Sequence, residues 1–79
     1  MSTKLLQDAG EALYGPQWQS QLARDLQMSD RHIRRMAAGD AKVTSGIAMD
    51  LWRIALERAA TLDEVIDRLK IAATPGNDE

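Results

Sequence analysis

Seventy-nine residues, 44% hydrophobic and 28% charged with a formal net charge of −2, leave room for one domain with one small core. That apolar content excludes a disordered tail, and the absence of cysteine excludes a disulfide framework, a thiolate metal site and a Cys nucleophile. No apolar run nears the roughly 20 residues of a bilayer span, and Met1–Gln7 turns polar before a secretory h-region forms, so a cytoplasmic domain without membrane contact is expected.

Strand signals are absent, since there is no Phe, no β-branched run and no alternating segment with a hairpin turn. The chain therefore reads as all-α. Ser2 or Thr3 caps a first helix in which Leu5 or Leu6, Ala9 and Leu13 recur three or four apart. Gly15-Pro16 ends it, and Pro16 suits the first turn of a second helix, where a missing N–H costs little. Leu22, Ala23 and Leu26 form the inward stripe of that helix, which stops near Gln27. Trp18 is expected at its start, stapled against Leu22.

Ser29 is a strong N-cap for a third helix, and Asp30 sits well against the positive end of its dipole. Ile33, Met36 and Ala37 are its inward face, and Gly39-Asp40 closes it. After a polar loop through Lys42, Thr44 or Ser45 opens a fourth helix. Thr61-Leu62-Asp63-Glu64 spells a capping box, which favours a separate fifth helix. Nothing in between breaks a helix, however, so one helix from Ser45 to Ala72 is the alternative. A domain over 1–73 and a frayed tail over 74–79 complete the layout.

Charge is distributed unevenly. Residues 24–42 hold Arg24, Arg31, Arg34, Arg35 and Lys42 against Asp25, Asp30 and Asp40, a surplus of two positive charges. Residues 57–79 hold Arg58, Arg68 and Lys70 against Glu57, Asp63, Glu64, Asp67, Asp78 and Glu79, a surplus of three negative ones. A phosphate responds to the field within about 8 Å at physiological salt and not to the total. An isoelectric point near 5.3 is therefore compatible with DNA, and it implies weak non-specific binding.

Two short helices joined by a three-residue turn have the spacing of a helix-turn-helix, which presents its second helix to the major groove. Residues 19–38, QSQLARDLQMSDRHIRRMAA, resemble the twenty-residue motif of the lambda-repressor/Cro-like DNA-binding family. Gln19 opens the motif, Ala23 is its small fifth residue, and Leu22, Leu26, Met28, Ile33 and Met36 occupy its apolar positions. The ninth position is usually Gly, because the turn there needs left-handed backbone. Gln27 departs from that, at roughly 1 kcal/mol. The resemblance implies a compact domain of four to five helices and a sequence-specific transcriptional regulator. It further implies base contacts from Asp30, Arg31, Arg34 and Arg35, with Arg31 and Arg35 first. Gln19, Ser29, His32, Lys42, Thr44 and Ser45 become phosphate contacts. Arg paired with guanine O6 and N7 supplies about 1–3 kcal/mol of discrimination.

Blander readings stand beside these. The arginines also suit a solvated face, and Asp30 with Arg34 suits an i,i+4 pair. His32 has no cluster around it for a metal. No Gly-rich phosphate loop or Ser/His/Asp arrangement suggests an enzyme, and no cofactor or small-molecule effector is expected.

The apolar arc of the fourth helix is too wide for one core. Ile47, Leu51, Ile54 and Ala55 make one stripe, and Met49, Trp52 and Leu56 widen it. A partner is therefore required, either a fifth helix through Leu62, Val65, Ile66 and Leu69 or a second subunit. A homodimer with Met49, Trp52, Leu56, Val65 and Leu69 at its interface is the expectation, holding recognition helices about 34 Å apart on a palindromic operator. Autorepression, as in phage or mobile-element operons, is the function this suggests. The alternative is an antitoxin or adaptor whose apolar C-terminal helices bind another protein.

Overall fold

The computed structural model describes residues 1–76 as three short helices followed by one long one. Their order is α1 (Thr3–Tyr14), a 3₁₀ turn (Gly15–Gln17), α2 (Trp18–Leu26), α3 (Asp30–Ala38) and α4 (Ser45–Ala72). Each N-terminus other than that of α2 carries the expected side-chain cap. The Leu5 N–H donates to the Ser2 hydroxyl oxygen at 3.1 Å, that of His32 to Ser29 at 3.1 Å and that of Ile47 to Thr44 at 3.3 Å. Of the alternatives, Ser2 and Thr44 are thus the caps. Pro16 lies in the 3₁₀ turn rather than in α2.

The turn between α2 and α3 is held by backbone hydrogen bonds from Met28 N–H to Ala23 O at 2.9 Å and from Gln27 N–H to Arg24 O at 3.2 Å. This is a Schellman closure, and it needs left-handed backbone at its hinge. Gln27 supplies that at φ 56°, the one non-Gly residue with positive φ among those described. The same closure recurs after α3, where Gly39 adopts φ 86° and Asp40 N–H donates to Arg35 O at 2.8 Å.

The core sits where α1, α2, α3 and the first part of α4 meet. Leu6, Trp18, Leu22, Ala23, Ile33, Met36, Ala37, Val43, Ile47 and Leu51 are buried together, and no polar or charged residue is buried among the described residues. Trp18 is inside α2, in its first turn, not ahead of the helix as a staple requires. Its ring lies on Gly10 of α1, so closely that a Cβ there would come within 2.3 Å of it.

Two expectations are corrected. Helices four and five are one continuous helix. The Thr61 hydroxyl donates to Glu57 O at 3.2 Å, the back-bond of a mid-helix threonine and not a cap. The molecule is also elongated rather than compact, at 55 × 21 × 21 Å with a radius of gyration of 16.4 Å, against about 11 Å for a compact chain of this length. The cause is α4, in which Ile54 is the last buried residue. Every described residue from Leu56 onward is exposed. Thr74–Gly76, the described part of the expected tail, follows α4 as a turn; residues 77–79 lie outside the described residues. No described helix is long and apolar enough to cross a membrane.

A cluster absent from the sequence reading holds α4 where it leaves the core. The Tyr14 hydroxyl donates to Asp25 Oδ2 at 2.6 Å. Arg58 lies 5.0 Å over the Tyr14 ring centre, donates to Leu13 O at 3.1 Å and sits 3.8 Å from Asp25. Three elements, α1, α2 and α4, thus share one cation–π and hydrogen-bonded corner. Burial pushes the Tyr14 phenol up to about 12, with the hydrogen bond to Asp25 and its charge adding and Arg58 opposing.

Three outcomes follow from these contacts. Gly10→Ala gains about 1 kcal/mol of helix propensity, but it drives a methyl into the buried Trp18 ring. The clash wins, so urea unfolding followed by Trp fluorescence is expected to show about 1–3 kcal/mol net loss. Gln27→Gly relieves the left-handed strain and is expected to raise the melting temperature by about 4–8 °C, equivalent to roughly 1 kcal/mol. Tyr14 is the single tyrosine, so tyrosinate absorbance reads it alone. Its midpoint is expected near 12 in the folded chain and near 10 in denaturant. Because the folded state favours the neutral phenol, this contribution to stability is full below pH ~10 and is lost as pH rises through ~12.

Candidate nucleic-acid interface

α3 presents two faces with opposite chemistry. Ile33, Met36 and Ala37 are buried, and Arg31, Arg34 and Arg35 are exposed. The helical period produces this division, because residues 33, 36 and 37 share one side. Closure at Gln27 then sets how α3 leaves α2, and the core anchors both helices from behind.

At the start of α3 the Ser29 side chain is engaged as the cap, with its hydroxyl proton still available to a donor role. Asp30 accepts from the Ser20 hydroxyl at 3.4 Å, which brings the first turns of α2 and α3 side by side. Gln19, half-buried in that turn of α2, is therefore next to the start of α3. Arg34 is 3.8 Å from Asp30 with both side chains about half exposed, a weak pair of the surface kind. Asp30 is thus held by α2 and α3 together, in the orienting arrangement that competed with a direct base contact.

Arg35 turns toward the far end of α3, where its Nη2 donates to Asp40 O at 3.4 Å. This carries its charge to the loop that holds Lys42. The Arg31 side chain makes no hydrogen bond or ion pair with another described residue, and neither do the side chains of Lys42 and Arg24. His32, Lys42, Thr44 and Ser45 are exposed, and Thr44 caps α4 in the way that Ser29 caps α3. The N-terminus of α4 adds its own N–H donors and dipole beside Lys42, chemistry suited to a phosphate. Asp25, one of the three acids of residues 24–42, is committed to Tyr14 and Arg58. The basic surplus of residues 24–42 is therefore less offset than the residue count suggests.

Two residues of this surface are not among the contacts expected from the motif. Ser20 joins α2 to Asp30, and Arg24 is an additional exposed cation at the end of α2. Their helix positions were legible, but contacts across ten residues of sequence are not. Among the described residues no group of three or more His, Asp or Glu is placed to hold a metal ion.

The five apolar residues expected at a dimer interface are exposed, Trp52 at 67%. They do not share one face. Thirteen residues separate Trp52 from Val65, and the same separates Leu56 from Leu69, which is about 140° around a continuous helix. Met49, Trp52 and Leu56 line a shallow apolar depression with Asp50 and Arg53. Val65 and Leu69 fall instead on the stripe that begins with Ile47, Leu51 and Ile54.

No protein-family model matches the chain, and no curated protein or solved structure is significantly similar to it.

Proposed function

We propose that the protein is a sequence-specific DNA-binding regulator, a dimeric repressor that lays α3 in the major groove of a palindromic operator in the manner of lambda-repressor/Cro-like proteins. The observation that carries this reading is the division of α3. Its inward face is anchored in the core, its outward face is arginine-rich, and a left-handed closure at Gln27 stands where the motif needs one. Arg31 leads the base contacts, because it lies in the first turn of α3 and has no competing partner among the described residues. Arg35 and Arg34 follow, with Asp30 orienting Arg34. Gln19, Ser29, His32, Lys42, Thr44 and Ser45 grip phosphates on either side.

Control then comes through the concentration of the dimer. A second reading, an adaptor or antitoxin whose α4 binds another protein, draws on the exposed Met49, Trp52 and Leu56. Light scattering separates the two, because a monomer with solvent-accessible Trp52 fits a missing partner, whereas a dimer fits the repressor.

Selection of bound sites from random DNA supplies the operator. On it, Arg31→Ala and Arg35→Ala are each expected to cost about 1–3 kcal/mol of specific affinity and to relax preference at one base pair. Full operator affinity in both variants, measured at one fixed salt concentration, would sink the assignment of α3 to the groove.

A further inference from the structure

Apolar burial is non-directional. It decides that Ile33, Met36 and Ala37 of α3 face inward, but it fixes the roll and height of so short a helix less sharply. A hydrogen bond is directional, and α3 makes one with another helix at each end. At its start Asp30 accepts from the Ser20 hydroxyl of α2, a long contact of 3.4 Å between exposed groups. At its other end the Gln7 side chain of α1 donates through Nε2 to the Ala37 carbonyl at 2.8 Å, across 30 residues of sequence. The second is the stronger of the two, because it is short and partly shielded from water.

The carbonyl involved lies in the last turn of α3. The last four carbonyls of a helix have no intrahelical N–H to accept from, and the closure at Gly39 satisfies two of them. Met36 O accepts from Gly39 N–H at 3.2 Å and Arg35 O from Asp40 N–H at 2.8 Å. Ala37 O is left to Gln7. On α1, Gln7 stands one residue past the fully buried Leu6 and three before the buried Gly10. It is half-buried there, where helical spacing alone would accept an apolar residue; what the position needs beyond bulk is a donor. Among the described residues Gln7 is the one side chain of another helix bonded to the backbone of α3. Ala37 is two residues past Arg35, and the segment that follows carries Lys42 before it re-enters the core at Val43.

We infer that Gln7 is a positioning residue for the proposed interface. Its amide sets the height of the C-terminal half of α3, and with it the reach of the Arg35 guanidinium. This role rests on the DNA-binding reading of α3. The start of α3 is held separately, by the Ser29 cap and the closure at Gln27. Loss of the Gln7 bond therefore acts on Arg35 more than on Arg31.

Three substitutions in the full chain separate the donor from the bulk. Gln7→Leu keeps most of the volume and loses the donor. Gln7→Glu keeps the shape and turns an acceptor toward the carbonyl, and Gln7→Lys restores a donor suited to the negative end of a helix. The readout is the ratio of affinities for the selected operator and for random-sequence DNA at one fixed salt concentration, which cancels the changes in net charge. Gln7→Leu and Gln7→Glu are each expected to lower that ratio about tenfold. They should relax preference at the base pair that Arg35→Ala relaxes and spare the one read by Arg31, and Gln7→Lys should regain most of the loss. A merely destabilised fold would lower binding to every sequence alike and keep the base preference. That outcome overturns the inference, as does a parental ratio in both the Leu and Glu variants.

Amide hydrogen exchange reads the bond without DNA. In Gln7→Leu, exchange over residues 36–43 is expected to quicken about tenfold relative to residues 22–26, and to slow again in Gln7→Lys. A chain that shows this pattern yet selects no DNA sequence removes the DNA reading, and the role of Gln7 with it, while its bond to α3 stands. A chain that selects an operator, with Gln7→Leu unchanged in both tests, keeps the DNA reading and overturns only the role of Gln7.

Discussion

The seating of the Trp18 ring on Gly10 is the contact on which the remaining geometry depends. It brings α1 and α2 together at side-chain-free distance, and this opens the pocket filled by Leu6, Leu22, Ile33 and Met36, the largest fully buried side chains. Interiors are packed at crystal-like density, so displacing the indole would move α2 and with it the closure at Gln27. The direction of α3 follows from that closure. The arginines of α3 are thus placed through apolar packing, with no buried polar group among the described residues to orient them.

Local periodicity made most of this architecture legible. Three of the four helix starts were spelled by Ser2, Ser29 and Thr44, the stops by Gly15, Gln27 and Gly39, and the inward face of α3 by the spacing of Ile33, Met36 and Ala37. The failures share a cause. Thr61-Leu62-Asp63-Glu64 has the letters of a capping box, but capping requires the backbone to leave the helix, and no Gly or Pro between Gly46 and Pro75 makes departure favourable. The corner of Tyr14, Asp25 and Arg58 joins residues up to 45 positions apart, beyond the reach of any local pattern.

The wide apolar arc of α4 was legible as well, but not its division. A helical wheel superimposes residues that lie at different heights, so Trp52 and Val65 look like neighbours in one arc although they are 13 residues apart. What a wheel cannot show is where the core ends. The stripe through Ile47, Leu51 and Ile54 and the stripe through Leu62, Val65 and Leu69 obey one periodicity, yet the first is buried by this chain and the second is left bare. The boundary is Arg58, a charged residue in an apolar register, whose guanidinium is satisfied by the Leu13 carbonyl and the Tyr14 ring at the edge of the core. Up to that residue the seam serves folding; past it, the same seam is exposed.

That division bears on how an acidic chain would hold DNA. The negative surplus over residues 57–79 is carried by the exposed C-terminal arm of α4 and the segment after it, whereas the basic surplus lies over residues 24–42. At physiological salt, charges separated by much more than about 8 Å are largely screened from one another. The acids of the arm therefore offset little of the field at α3. Asp25 is likewise engaged with Arg58, and Asp30 with Ser20 and Arg34. The surface of α3 is thus more basic than a net charge of −2 implies. It still offers few cations, so its non-specific hold on a duplex is weak. In the proposed repressor, specific affinity then comes from two α3 helices engaging together. Under the proposed reading, a dimer doubles the arginines presented to one operator, and that doubling supplies what a single weakly basic surface lacks.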